Sequence, residues 1–269
     1  MKSRKWDKED GKMALSGWNR EGWLEVSEKL KFELPPIAVS FAIDPPDGLE
    51  KLEEKIGFCE MLRQAQEGNT FYAAPENHNC DGGLVVLGKT VPPVYESGEF
   101  GAGLQVFDHY RTMTRVYDVL PKLNPERNIG YVAFSPLDSL TFEPDLLVVV
   151  AELPPTEILM RAMSYSTGKV WTSRCTTVLG CAWMYIYPYL TGELNYITTG
   201  LGHGMTRRKV APAGRQVISI PYDLFGTMLH SLQTMPWVAP LFQPDSDEFR
   251  QKLLKDLGLD SGLYKVEAQ

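Results

Sequence analysis

Four cysteines and one histidine are the residues of this sequence best suited to binding a soft metal ion. They are Cys59, Cys80, Cys175, Cys181 and His78. Thiolate sulfur is the preferred ligand of iron–sulfur clusters and of zinc, and such sites need three or four ligands that converge. No CxxC pair is present, because twenty residues separate the first two cysteines and five separate the last two. Reduced cysteines also serve as small core residues, so the spacing leaves both interpretations open.

A glycine-rich loop that runs into basic residues is the second candidate site. Residues 199–209 read TGLGHGMTRRK, and a related GAG sequence occupies 101–103. Glycines let the backbone aim amide groups at an anion, and arginine binds carboxylate or phosphate through two parallel hydrogen bonds. The loop fits neither the dinucleotide GxGxxG pattern nor a P-loop, and an ordinary turn before a solvated basic stretch would look the same. The residues predicted to bind ligand are Gly101, Gly103, Gly202, His203, Gly204, Arg207 and Arg208.

Composition and charge exclude several other classes of function. The net charge of −7 and pI near 5.2 argue against a nucleic-acid-binding surface. No apolar run approaches the roughly 20 residues that span a bilayer, and the polar N-terminal residues do not resemble a secretory signal. We therefore expect no membrane partner, a cytoplasmic location and reduced thiols. Neither GxSxG nor HExxH occurs, so hydrolase chemistry gains little support.

The elements that must position these residues follow from hydrophobic periodicity. Helical spacing predicts helices over 18–30, 57–67, 105–120, 156–167, 222–233 and 245–257. Short apolar, β-branched runs predict strands at 37–43, 84–87, 132–134, 146–151, 182–187 and 216–220. The predicted fold class is α/β, with a mixed α+β arrangement as the alternative.

An internal repeat organises these elements. At an offset of 101 residues, Cys80 aligns with Cys181, Gly101 with Gly202 and Gly103 with Gly204. VAFSPLDSL at 132–140 likewise matches VISIPYDLF at 217–225. We interpret the chain as two degenerate copies of one α/β unit, packed as one compact domain with pseudo-twofold symmetry. The predicted divisions are a flexible lead-in at 1–17, a first half at 18–140, a second half at 141–235, and a C-terminal helix and tail at 236–269.

The sequence also resembles a known prokaryotic family. The run FCEMLRQAQEGNTFYAAPENHNCDGGLVVLG, the later C-x5-C segment, the glycine loop with Arg207 and the VISIPYDLF strand are similar to the family called domain of unknown function 169. That family is common in methanogens and other anaerobes. The resemblance implies a site that includes Cys59, Cys80 and residues 202–208, but it implies no activity.

Three functional hypotheses remain. The first is a cytosolic metal- or iron–sulfur-binding protein of anaerobic metabolism, with a redox role as one option. Its site would lie in a cleft between the two halves, and its cofactor would be zinc or an iron–sulfur cluster. The second is a non-catalytic module that binds a small anionic or other small-molecule ligand in that cleft. The third is a structural subunit of a larger enzyme complex, and a homo-oligomer is also compatible with the sequence.

Overall fold

One antiparallel sheet forms the centre of the protein. The computed structural model describes residues 19–89, 92–198, 203–240, 243 and 247–259. In this part of the chain the sheet has six strands, namely β1 Ile37–Ala42, β2 Phe71–Ala73, β3 Tyr131–Pro136, β4 Leu146–Ala151, β5 Asn195–Thr198 and β6 Gln216–Pro221. Their order is β2-β3-β1-β4-β6-β5, and every neighbouring pair is antiparallel.

Helices cover both faces of the sheet. The described residues contain eleven α-helices, namely α1 Arg20–Leu30, α2 Glu60–Gln66, α3 Asp81–Val86, α4 Pro93–Glu96, α5 Glu99–Gly103, α6 Tyr110–Val119, α7 Leu153–Thr167, α8 Tyr187–Thr191, α9 His203–Arg207, α10 Phe225–Thr234 and α11 Asp247–Asp256. A π-helical turn, Ala182–Ile186, leads directly into α8.

The central strand β4 shows why both faces must be covered. All six of its residues are buried. Because alternate side chains of a strand point to opposite faces, Leu146 and Val148 join one core while Leu147 and Val149 join the other. We call the first side, which α2, α3, α6 and the π-helical turn cover, the front face. The back face is covered by α1, α7 and α10.

The mixed α/β composition predicted from sequence is confirmed, and the sheet is antiparallel, as in the α+β alternative. Two predicted strands are wrong. Residues 84–87 lie in and just after the helix α3, and residues 182–187 form the π-helical turn and the first residue of α8. Both runs are apolar and almost fully buried on the front face, where burial on all sides removes the periodicity that separates helix from strand.

The strand order bears on the predicted duplication. Outward from the central β1–β4 pair, the strands run β1, β3, β2 on one side and β4, β6, β5 on the other, so each half places its first, third and second strands alike. The helices do not follow this pattern, since α2 packs on the front face and α7 on the back. Because β1 and β4 are antiparallel, a twofold axis that exchanges the halves would be normal to the sheet. Such an axis would place α2 and α7 on the same face. Duplication and pseudo-twofold symmetry therefore stay a prediction.

The terminal segments of the predicted division lie largely outside this description. Residues 1–17 are outside the described residues, and the C-terminal segment contributes α11. Within the described ranges, no helix combines the length and the apolar character that crossing a membrane requires.

Candidate functional site

Three of the four cysteines lie immediately before helices on the front face. Cys59 precedes α2, Cys80 precedes α3 and Cys181 precedes the π-helical turn. Cys59 and Cys181 are buried in the front core, and Cys80 is half-buried. Cys80 acts on the pKa of Cys59, and both act on the pKa of Cys181, so the three cysteines approach one another from distant parts of the chain.

Arg208, the first residue after α9, lies at the centre of this cluster. Its Nη1 is 3.9 Å from Cys59 Sγ and 3.9 Å from Glu60 Oε2. Burial lowers the pKa of Arg208, but hydrogen-bond and charge interactions with Cys80 and Cys59 outweigh that effect and raise it above its ordinary value. We call Cys59, Cys80, Cys181 and Arg208 the thiol–arginine cluster.

Burial holds the inner thiols of this cluster in their neutral form. It raises the pKa of Cys59 to about 11, although the positive charge of Arg208 acts in the opposite direction. Complete burial raises the pKa of Cys181 well above its ordinary value, and the proximity of Cys59 and Cys80 raises it further. Burial also raises the pKa of Tyr185 well above its ordinary value, and Cys59 and Cys181 raise it further.

Two predicted metal ligands do not join the cluster. Cys175 is half-buried against the edge of the front core, and burial alone raises its pKa. His78 is buried with its ring edge against Phe58, and burial lowers its pKa to about 4. In the ranges given above, no group of three or more His, Cys, Asp or Glu side chains is arranged so that it could hold a metal ion. The five predicted ligands therefore do not form a ready coordination shell.

A pocket of about 380 Å³ opens beside the thiol–arginine cluster. The polar side chains that line it, which we call the polar wall, include Cys80, Asp81, Tyr95, Tyr117 and Arg208. The apolar side chains that line it, which we call the apolar wall, include Phe100, Leu104, Val106, Phe107, Met113 and Leu179. The volume falls at the lower end of the roughly 300–1,000 Å³ typical of small-molecule sites.

The polar wall contains two tyrosines that differ in the hydrogen bonding of their hydroxyl groups. Tyr95 donates a hydrogen bond from its hydroxyl to Asp81 Oδ2. Tyr117 is 3% exposed, and its hydroxyl has no hydrogen-bond partner among the described residues. Burial raises the pKa of Tyr117, and the nearby Tyr95 and Asp81 raise it further. A buried hydroxyl without a partner is costly, so Tyr117 is the unusual member of this wall.

Small residues shape the pocket. A Cβ at Gly82 would lie 2.5 Å from Leu179 Cδ2, and a Cβ at Gly101 would lie 2.8 Å from Met113 Cγ. Position 101 therefore needs glycine so that α5 can approach Met113, whereas at Gly82 the flexible end of the Leu179 side chain could shift. Gly103 and Gly204, by contrast, have open space where a Cβ would be.

The glycine loop contributes less than its sequence predicts. Gly202 lies outside the described residues, and His203 begins the short helix α9. Arg207 is exposed, and the next residue, Arg208, is the one that reaches the cluster. The sequence predicted both arginines as ligand-binding residues but did not indicate that only Arg208 reaches the cluster.

Sequence reasoning missed the polar wall residues Asp81, Tyr95 and Tyr117 as site residues. Signals for them existed. Asp81 follows Cys80 in the HNCDGG turn, and Tyr117 lies on the apolar side of the predicted helix 105–120. A tyrosine on such a side is usually a core residue, which is why its hydroxyl did not attract attention.

Comparison with known proteins adds a family but no activity. The chain is 29% identical over 155 residues to an uncharacterised protein of Methanocaldococcus jannaschii. This match covers 55% of the chain and 66% of the relative, just under two thirds of its length. No solved structure matches the chain. A family model for DUF169, described as uncharacterised ArCR, matches residues 25–231, and the chain therefore belongs to the DUF169 family.

Proposed function

We propose that this protein binds a small organic carboxylate with an apolar body in the pocket beside the thiol–arginine cluster. The observation that carries the proposal is that Arg208 lines a cavity of about 380 Å³ whose other lining side chains are mostly apolar. The role is that of a binding module in the cytoplasm, which delivers or senses its ligand.

The chemistry of Arg208 supports an anionic ligand group. A guanidinium has five N–H donors in a planar fork. Arg208 makes long contacts with Cys59 and Glu60 through Nη1 and a hydrogen bond with Cys80, which use three donors at most. Donors thus remain for a carboxylate, which arginine binds through two parallel hydrogen bonds. Because the whole chain carries a net charge of −7, a ligand anion would be drawn to this local cation and repelled by most of the remaining surface.

The apolar wall supports an apolar ligand body. Phe100 and Leu104 are 40% and 59% exposed, and Val106 is 36% exposed. Together they leave apolar area next to the pocket that water now covers. Burying such area stabilises a complex by roughly 25 cal/mol per Å².

The pocket also draws on both predicted halves of the chain. Cys80 and Tyr95 come from residues 18–140, whereas Leu179 and Arg208 come from residues 141–235. This placement supports a cleft between the halves as the ligand site. The matched strand orders outward from β1 and β4 favour the duplication on which that cleft was predicted.

Isothermal titration calorimetry with a panel of carboxylates that differ in apolar body tests the proposal. Benzoate, 3-phenylpropionate, hexanoate and L-phenylalanine form the panel. Arg208→Gln should weaken the tightest binder about tenfold or more, since hydrogen bonds to a charged group contribute about 1.5–3 kcal/mol. Arg207→Gln is the matched control, because it removes the same charge from the neighbouring exposed position. Equal affinities for the two variants would contradict the proposal.

Metal binding is the second candidate. The charge interactions of Cys181 with Cys59 and Cys80 favour it, although these thiols are not arranged as a metal site in the described part of the chain. The thiols would have to lose their protons and rearrange around the ion. Protein purified without oxygen should then contain stoichiometric iron or zinc. Cys80→Ser should lose the metal and Cys175→Ser should keep it, because Cys175 lies apart from the cluster. Metal-free, fully folded protein from such a preparation would contradict this candidate.

A further inference from the structure

We infer that the ligand of this pocket is an α-amino acid with a large apolar side chain, recognised by Arg208 at its carboxylate and by Asp81 at its ammonium group. The inference rests on the proposed function and names its ligand class. It starts from the charges of the polar wall, where one cation and one carboxylate face the same cavity.

Asp81 and Arg208 do not neutralise each other, so each can bind a ligand group of opposite charge. Among the described residues, Asp81 and Arg208 make no ion pair with each other, and Asp81 forms no ion pair with any other side chain. The carboxylate of Asp81 accepts one hydrogen bond, from the Tyr95 hydroxyl. A carboxylate has two oxygens and about four acceptor positions, so Asp81 can still accept from an ammonium group. A ligand with only an anionic group would leave this negative charge beside it without compensation.

The neighbouring Tyr117 leaves Asp81 as the acceptor for the ammonium group. Tyr117 lines the pocket, but its hydroxyl is buried and out of reach of a ligand. An ammonium group has three donors, of which Asp81 can accept one while water in the open pocket accepts the others.

The apolar wall selects the side chain. Phe100, Phe107, Met113 and Leu179 line the same cavity as the two charges with aromatic and aliphatic side chains. The cavity of about 380 Å³ suits a compact ligand of amino-acid size, since larger ligands occupy sites toward the upper end of the usual range. Phenylalanine, leucine and methionine have the required combination of a dipolar head and an apolar side chain.

A matched series of three ligands distinguishes the contribution of the carboxylate to affinity from that of the ammonium group. L-Phenylalanine, 3-phenylpropionate and phenethylamine share the ring and the two-carbon chain, but carry both charges, only the carboxylate or only the ammonium. Calorimetry on the full chain should show L-phenylalanine binding about tenfold or more tighter than either single-charge analogue, because each hydrogen-bonded charge adds about 1.4 kcal/mol or more. L-Leucine and L-methionine complete the series.

Variants then assign each contact. Asp81→Asn should weaken L-phenylalanine about tenfold and leave 3-phenylpropionate unchanged or tighter, while Arg208→Gln should weaken both. Tyr165→Phe is the control, because it removes the hydroxyl of an exposed tyrosine that does not line the pocket, and it should leave all three affinities unchanged.

Two results would overturn the inference. One is an affinity for 3-phenylpropionate that equals or exceeds that for L-phenylalanine. The other is an absence of binding by all three amino acids at about 10 mM, where even a weak site would be detected. In either case, binding of a carboxylate that depends on Arg208 but not on Arg207 would still support the proposed function, so the two failures can be distinguished.

Discussion

The Nη1 of Arg208 lies 3.9 Å from the Sγ of Cys59, although the two residues are 149 positions apart in sequence. This contact joins the end of α9 to the start of α2 and brings the guanidinium to the sulfurs of the front face. A Cβ at Gly57 would lie 2.4 Å from Arg208 Nη1, so the missing side chain at Gly57 creates the space that the guanidinium fills.

The first prediction concerns the charge effect of this contact. Burial raises the pKa of Cys59 to about 11, and the charge of Arg208 lowers it. Arg208→Gln should therefore raise this pKa further. The ultraviolet absorbance of the thiolate reports it, in a background where Cys80 and Cys175 are serine and Cys181 is alanine. Arg207→Gln in the same background should leave the titration unchanged, and an unchanged titration in Arg208→Gln would contradict the contact.

Thiol labelling provides a second prediction. Cys80 and Cys175 are half-buried, whereas Cys59 and Cys181 are buried, and burial keeps the latter two neutral. Because the thiolate is the reactive form, iodoacetamide should modify Cys80 and Cys175 in the native protein but should reach Cys59 and Cys181 only after unfolding. Peptide mass spectrometry identifies the modified sites. Native labelling of Cys181 as fast as that of Cys175 would contradict the packing described here.

The accuracy of the sequence predictions depended on burial. The strands at 37–43, 132–134, 146–151 and 216–220 were predicted correctly, because β-branched runs bounded by turn residues are typical of strands. The short strands β2 and β5 were missed, since three or four residues carry too little pattern. The run 182–187 was wrongly predicted as a strand because it is apolar on every side. It also precedes Pro188, whose ring disfavours a regular helical turn before it.

The candidate site shows the same limit. Cysteines and arginines attract attention by residue type, so Cys59, Cys80, Cys181 and Arg208 were identified from sequence. Which of the two adjacent arginines points inward depends on where α9 ends, and sequence does not define that boundary to one residue. Likewise, no sequence pattern reveals that the hydroxyl of Tyr117 lacks a partner, because that property arises only from tertiary packing.

His78 gives a pH-dependent prediction. Burial lowers its pKa to about 4 from an ordinary value of 6.5. Since the unfolded chain binds the proton more readily, this residue stabilises the fold above about pH 6.5, and that contribution is lost as the pH falls toward 4, by about 3 kcal/mol in total. Urea unfolding at about pH 7 and about pH 4.5 should show a smaller loss in His78→Gln than in the wild type. The exposed His230 provides the control, and His230→Gln should keep the wild-type loss.

Gly101 and Gly103 form a matched pair in α5. A Cβ at Gly101 would lie 2.8 Å from Cγ and 2.9 Å from Sδ of the buried Met113, whereas Gly103 has open space. Gly101→Ala should therefore cost about 1–3 kcal/mol of unfolding free energy through overpacking. Gly103→Ala should be neutral or slightly stabilising, because alanine favours helix. Urea denaturation measures both, and equal effects would contradict the close approach of α5 and α6.

Two buried tyrosines on the same helical segment should respond in opposite ways to loss of the hydroxyl. Tyr185 is fully buried beside Cys59 and Cys181, and its hydroxyl has no hydrogen-bond partner among the described residues. Tyr187 donates a hydrogen bond to Glu193. Tyr185→Phe should leave the free energy of unfolding unchanged or raise it by about 1 kcal/mol, because a desolvated, unpaired group is removed.

Tyr187→Phe removes a hydrogen bond to a carboxylate and should lower the free energy of unfolding by about 1–2 kcal/mol. Both changes delete one oxygen and keep the ring, so packing is the same in each comparison. A loss in Tyr185→Phe as large as that in Tyr187→Phe would show that the Tyr185 hydroxyl has a partner in solution. Cys59 and Cys181 both act on the pKa of this hydroxyl, so their thiols would be the first groups to test as that partner.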